Sequence, residues 1–227
     1  MPILAFDTAQ GACSAAISHG GRLLSRRFET MRRGQAERLL PMIEAVRRQA
    51  GIAFADLDLI AVTVGPGTFT GVRVGLAAAR ALALVHDIPV LGIGTLELLA
   101  RPAVGAGGGG IIAAIDARRG EIYSQAFDAA GIALTAAAAG PAGAHVAPPG
   151  LTPGLIVGSG AELLQAVLPN WRVESSIVQP DAAILARAGE TWRHRAGRRP
   201  PAPLYLRAPD AKLPGSRQAR ALKPARK

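Results

Sequence analysis

The 227-residue chain has one cysteine, Cys13, which excludes an internal disulfide and any metal site built from several thiolates. In a strand-like stretch, Cys13 reads as a small core residue, with a reactive thiol as the alternative. Four histidines, His19, His86, His145 and His194, stand far apart, and no two have the spacing that places paired ligands on one helix, so no zinc or iron site is expected. No apolar run reaches the length that crosses a bilayer: Arg80 interrupts the alanine-rich stretch around it, and the residues before Ile115 are mostly glycine and alanine. The opening MPILAFDTAQ lacks a basic lead and runs straight into an acidic residue, so it does not read as a signal peptide and the expectation is a cytoplasmic protein. Acidic residues are scarce at one end only. Residues 1–186 hold fourteen Lys plus Arg against fourteen Asp plus Glu, whereas residues 187–227 hold twelve against two. The whole +10 excess therefore sits at the C-terminal end, where it suits either a polyanionic partner such as nucleic acid or a solvated tail that aids solubility.

Hydrophobic residues make up 49 % of the chain, enough to bury the core of one large domain or two small ones. The clearest local feature is residues 65–75, GPGTFTGVRVG. They join a short β-branched run, residues 57–64, to an alanine-rich, proline-free stretch, residues 72–85, and so read as a strand, a tight turn and a helix. Gly65, Gly67 and Gly71 read as positions that need unusual backbone angles, and Thr68 and Thr70 as caps for the helix start. Such a turn can cradle a phosphate on its amides, or be glycine-rich only because the chain reverses sharply. No Lys-Ser or Lys-Thr pair follows, so it is not a P-loop, and its glycines lack dinucleotide-fingerprint spacing. Arg73, just inside the helix, is the charge that favours a polar partner.

Along the chain, strand-like runs at residues 3–7, 13–18 and 22–29 form a meander around a His-Gly-Gly turn. An amphipathic helix follows, with Ala36, Leu39, Leu40, Ile43 and Ala50 on one face and Pro41 starting or kinking it. Residues 105–110 are a glycine-rich joint, the candidate boundary between residues 1–104 and 105–211. Beyond it, residues 111–127 echo the start: Asp116 ends an apolar run as Asp7 does, and a second strand and a turn follow each. A weaker strand, glycine turn and helix pattern occupies residues 154–164. The last helix is expected over residues 181–193, with Ala182, Leu185, Ala186, Gly189 and Trp192 facing a core. Residues 212–227 read as a disordered basic tail.

Four stretches resemble one family. GPGTFTGVRVG is similar to the GPGSFTGLRIG signature of the bacterial TsaB (YeaZ) proteins, ILAFDTA to their opening ILAIDTS, and IDARRGEIY and PLYLRAPDA to later segments, so the likeness spans residues 3–211. It implies an α/β fold of two ribonuclease-H-like lobes, duplicated as in the actin-like ATPase superfamily, in agreement with the internal echo. It also implies a role in making threonylcarbamoyladenosine at position 37 of tRNAs that read codons beginning with adenosine. In that role the chain would pair with the catalytic paralogue TsaD, support the ATPase TsaE, reach tRNA through the complex, and form a homodimer when TsaD is absent.

The resemblance further implies a subunit without catalysis, metal or cofactor of its own. The chain has no His-x-x-x-His motif, and carbamoyl transfer from an adenylate calls for a metal or a comparable positive cluster. Ala9 stands where actin-like ATPases use a glycine to approach phosphate, which makes Asp7 and Asp116 vestigial phosphate-loop acids. The family's signature turn maps onto Gly65, Pro66, Gly67, Thr68, Phe69, Thr70, Gly71 and Arg73, with Thr68 in place of a serine. Gln35 stands where members commonly have histidine. The partner interface is expected at Gln35, Arg38 and Leu39 and along a small-residue helix face, Gly75, Ala78, Ala79 and Leu82, unless that face meets the chain's own sheet. The rival classes are an ATP-dependent kinase or hydrolase with Asp7 and Asp116 at a metal, and a free-standing RNA-binding protein that uses the basic end.

Overall fold

The computed structural model describes residues 1–199 and 201–207, so the tail read at 212–227 lies outside the described residues. Strands β1 (Pro2–Asp7), β2 (Ala12–His19) and β3 (Arg22–Thr30) form the expected meander, and Gly20 and Gly21 turn the second hairpin at φ 57° and 72°, angles that suit glycine. Helix α1 (Gln35–Ala50) then leads to β4 (Leu59–Gly65), α2 (Phe69–His86), β5 (Val90–Gly94) and α3 (Thr95–Ala100). β4 pairs parallel with both β1 and β5, giving the order β3-β2-β1-β4-β5. Parallel strands covered on both faces need apolar residues at every position. Ile60 and Val62 accordingly face the core under α1 and α2, while Leu59 and Ala61 face the core on the other side.

The second half repeats this plan. β6 (Ile111–Arg118), β7 (Glu121–Phe127), β8 (Ala138–Pro141), β9 (Leu155–Val157), helix α4 (Ala161–Gln165) and β10 (Arg172–Val173) give the sheet order β8-β7-β6-β9-β10, which matches the first sheet strand for strand. The molecule is a duplicated α/β fold, two lobes built on five-stranded sheets of the same topology, as the sequence resemblance implies.

Residues 105–110 separate the two sheets, but they do not separate the helices. Helix α5 (Ala182–Trp192), from the second half of the chain, packs on β1, β2 and β4 of the first sheet. Its N-cap Asp181 accepts from Ala183 N, Ser14 Oγ accepts from Ala182 N at 3.0 Å, and Ser18 Oγ donates to the Ala186 carbonyl at 2.7 Å. Conversely, α3 of the first half lies between the sheets, with Leu98 in the first core and Leu96 and Leu99 in the second. Apart from Glu97, which pairs with Arg195, the residues of α3 are buried, as a position between two sheets demands. The division into 1–104 and 105–211 thus describes strands only.

Two sequence expectations need correction. In α1 the buried stripe is Leu39, Met42, Ile43 and Val46, while Ala36 and Leu40 are exposed. Pro41 lies inside that helix on its exposed side. Helix α2, despite Arg80, is long and apolar enough by length and composition to cross a membrane, yet Gly71, Val72, Gly75, Leu76 and Ala79 of that helix are buried in this fold.

Candidate functional site

The signature turn is held by direct packing on the β1–β2 turn. Thr68 N donates to the Ala9 carbonyl at 2.8 Å, Thr8 Oγ1 donates to the Gly71 carbonyl at 2.7 Å, and Gln10 Nε2 donates to the Pro66 carbonyl at 3.3 Å. Thr68 caps α2, its Oγ1 accepting from Gly71 N at 3.1 Å, whereas Thr70 lies within the helix. Of the three turn glycines, Gly65 has a left-handed φ, 104°. Gly67 and Gly71 serve a different purpose: a Cβ on Gly67 would overlap the Ala9 carbonyl oxygen, and one on Gly71 the Thr8 carbonyl oxygen. The expectation of unusual backbone angles therefore holds at Gly65 and is replaced by close approach at the other two.

This packing puts the signature turn directly against Thr8 and Ala9. Asp7 lies beside that contact, fully buried. Its Oδ1 accepts from Thr63 Oγ1 at 2.5 Å and from Ala9 N at 3.3 Å, and its Oδ2 has no partner among the described residues. Burial pushes its carboxyl up to about 7, against the opposing pull of Thr63 and Ala9. Asp116, its counterpart in the second lobe, is turned onto its own loop: it accepts from Arg118 N at 2.7 Å and from Arg118 Nη1 at 3.2 Å. The Cys13 thiol is buried and pushed up to about 12 by desolvation, which makes it the inert core residue of the sequence reading. Among the described residues no group of three or more His, Cys, Asp or Glu could hold a metal ion.

Between the lobes lies a cleft of about 850 Å³, bordered by the signature turn, the loop after β6 and the C-terminal segment. That segment is a strap. Gly197 exchanges backbone hydrogen bonds with Val90 of the edge strand β5, and Leu204 N donates to the Val64 carbonyl at 2.7 Å. Arg80 Nη2 donates to the Pro201 carbonyl. The Tyr205 ring stacks on Phe69 at 5.6 Å, Arg73 lies 3.6 Å over the Phe69 ring, and Arg73 Nε donates to Tyr205 Oη at 2.8 Å. Arg207 then reaches the second lobe, donating to the Ala117 carbonyl at 3.0 Å and pairing with Glu121 at 2.5 Å. Sequence reading placed Arg73 beside a polar partner but did not identify Tyr205, which is 132 positions away in the chain.

The predicted interface residues do not share one surface. Gly75 and Ala79 are buried; a Cβ on Gly75 would meet Thr8 Oγ1 at 2.9 Å and Val62 at 3.3 Å. Ala78 and Leu82 pack partly against the same core. The small-residue face of α2 thus meets the chain's own sheet, as the alternative reading had it. Leu39 is buried, Arg38 pairs with Glu29, and Gln35 Nε2 donates to the Gln10 carbonyl at 3.2 Å, which links the start of α1 to the β1–β2 turn. The large apolar residues that α1 and α2 expose away from the signature turn are Leu40, Leu84 and Val85, at 58 %, 87 % and 73 %, while Phe69 is exposed at the turn itself. Arg73 and Arg80, seven residues apart, mark the outer side of α2, and Leu84 falls on the same stripe, where its apolar side chain reads as core in the sequence.

Comparison with known proteins gives a family context. The family model described as tRNA N6-adenosine threonylcarbamoyltransferase, TsaD, matches residues 29–148. Escherichia coli K12 tRNA threonylcarbamoyladenosine biosynthesis protein TsaB is 41 % identical over 124 residues, covering 54 % of this chain and 53 % of that protein. The chain therefore spans about half the length of that curated relative. An uncharacterized protein of Mycobacterium tuberculosis H37Rv is 36 % identical over 212 residues, 92 % of this chain and 93 % of its own. The solved structure of YeaZ from Pseudomonas aeruginosa superposes with a TM-score of 0.79 at 31 % identity, covering 90 % of this chain and 99 % of that one.

Proposed function

Since the chain belongs to the TsaB (YeaZ) family, we propose that it serves threonylcarbamoyladenosine synthesis at position 37 of tRNAs reading codons that begin with adenosine, as a non-catalytic subunit that pairs with TsaD and supports TsaE. The observation that carries this reading is the filled phosphate loop. Productive phosphate binding needs free amides and room for close backbone approach. Here Thr68 N is spent on the Ala9 carbonyl, and Gly67 and Gly71 leave no gap above Thr8 and Ala9. The two carboxylates are not open either: Asp7 is sealed, and Asp116 is paired with Arg118. A kinase or hydrolase would need these groups open, so the enzyme reading has less support. Titration of the isolated chain with magnesium-ATP tests that rival, and turnover would favour it.

Pairing with TsaD is assigned to the exposed apolar side of α1 and α2, at Leu40, Leu84 and Val85, rather than to the buried small-residue face. Apolar side chains this exposed along adjoining helices suit a helix-packing partner. The direct test is co-purification of this chain with TsaD from the same organism, followed by assay of the modified nucleoside with TsaE present. A stable complex that restores modification supports the reading. Modification that proceeds equally well without this chain refutes it.

A further inference from the structure

We propose that the mouth of the interlobe cleft binds single-stranded RNA, with Arg32 and Arg33 on phosphates and the Phe69–Tyr205 pair against bases. The proposal rests on the reading above only in its choice of RNA as the polyanion. Arg32 borders the cleft and Arg33 follows it in the loop between β3 and α1. Both are exposed, and neither forms an ion pair among the described residues. The nearby carboxylates are largely engaged: Glu29 with Arg38, Asp116 with Arg118, and Glu121 with Arg207. Glu37, in the first turn of α1, is the exposed exception.

The aromatic component is unusual in a chain that is only 4 % Phe, Trp and Tyr. Phe69 and Tyr205 are 48 % and 42 % exposed, border the cleft, and are braced by Arg73. Exposed rings beside unpaired guanidinium groups are what successive unstacked bases require, since any base can stack while the cations follow the backbone. A cavity of about 850 Å³ admits one or two nucleotides and is too small for a duplex, whose bases are also unavailable for stacking.

The test is fluorescence anisotropy of the full chain with a labelled 12-nucleotide single strand and with the duplex of the same sequence, each over a range of salt. Arg32→Ala combined with Arg33→Ala should weaken single-strand binding at least fivefold at low salt. It should also lower the slope of log affinity against log salt by about 1.4, two phosphate contacts' worth for a single strand. Arg101→Ala with Arg187→Ala removes the same charge around a second cavity, elsewhere on the molecule, and should cost less than twofold. RNA carrying 4-thiouridine should crosslink to a peptide containing Phe69 or Tyr205. Equal losses from the two double variants, equal affinity for duplex, crosslinks confined to other peptides, or no binding by the full chain would each overturn the proposal. Restored modification with TsaD alongside unaltered RNA binding by the Arg32/Arg33 variant would sink this inference alone. Tight binding at the mouth without restored modification would sink the functional reading alone.

Discussion

Asp7 shows how one side chain can tie stability to pH. Its carboxyl titrates near 7 in the fold because burial opposes the charged form, against an ordinary value of 3.8. Asp181, Cys13, Thr63 and the Ala9 amide are the groups that bear on it. Between about pH 4 and 7 the folded chain keeps a proton that the unfolded chain has released, so this residue's contribution to stability falls as pH rises through that window and is flat above it. The loss is at most on the order of 4 kcal/mol. Asp7→Asn should therefore gain on wild type in melting temperature as pH goes from 5 to 8, and a constant difference would show that Asp7 is charged throughout. Gly71 makes a steric case. Gly71→Ala should cost about 1 to 3 kcal/mol by overpacking the Thr8 carbonyl, whereas Gly120→Ala, whose Cβ would meet nothing within 4 Å, bears only the strain of φ 77°. Denaturant midpoints compare the two, and a neutral Gly71→Ala would mean that the turn and Thr8 separate readily. The sequence marked Gly71 as special but could not supply the reason, because the crowding atom comes from another strand's end.

Helix α2 separates two roles that its sequence blends. Ala79 is fully buried in the first core, so Ala79→Arg should unfold or strongly destabilise the chain, by several kcal/mol, since an unpaired buried charge cannot be accommodated. Leu84→Asp, at an 87 % exposed site, should leave the melting temperature within a degree or two and abolish co-elution with TsaD. A folded Ala79→Arg that loses only the partner would reverse these assignments. At the strap, Tyr205→Ala removes both the stack on Phe69 and the acceptor for Arg73. It should raise amide exchange in residues 201–207 while leaving β4 and β5 protected, as expected if the strap is a low-stability unit on a rigid sheet. Strands and helices were legible here because they depend on local spacing, and so was the Thr68 cap of α2, whereas Thr70 lies inside that helix. The exposure of Leu84 and Val85 was not legible, because apolar residues read as core even beside Arg73 and Arg80 on the outer side of α2.

At the scale of the whole molecule, the charge divides into a balanced body and a basic end, and removing residues 216–227 should not change the melting temperature or TsaD pairing. It should weaken RNA binding at low salt, with the difference shrinking near physiological ionic strength as screening grows. Identical anisotropy curves with and without the segment would make its charge a solubility feature. The sequence alone determined the duplicated α/β plan, since two apolar runs each ending in an aspartate and followed by a strand and a turn recur at 3–18 and 111–127. It also determined the signature turn and the position of the charge, because these are properties of neighbouring residues. Only the tertiary structure decided that α5 belongs to the first sheet, that Tyr205 completes the signature turn with Phe69 and Arg73, and that the turn fills the phosphate loop. Each of these depends on contacts between segments from about 60 to about 170 residues apart, whose pairing depends on the shape of the packed sheets rather than on local pattern.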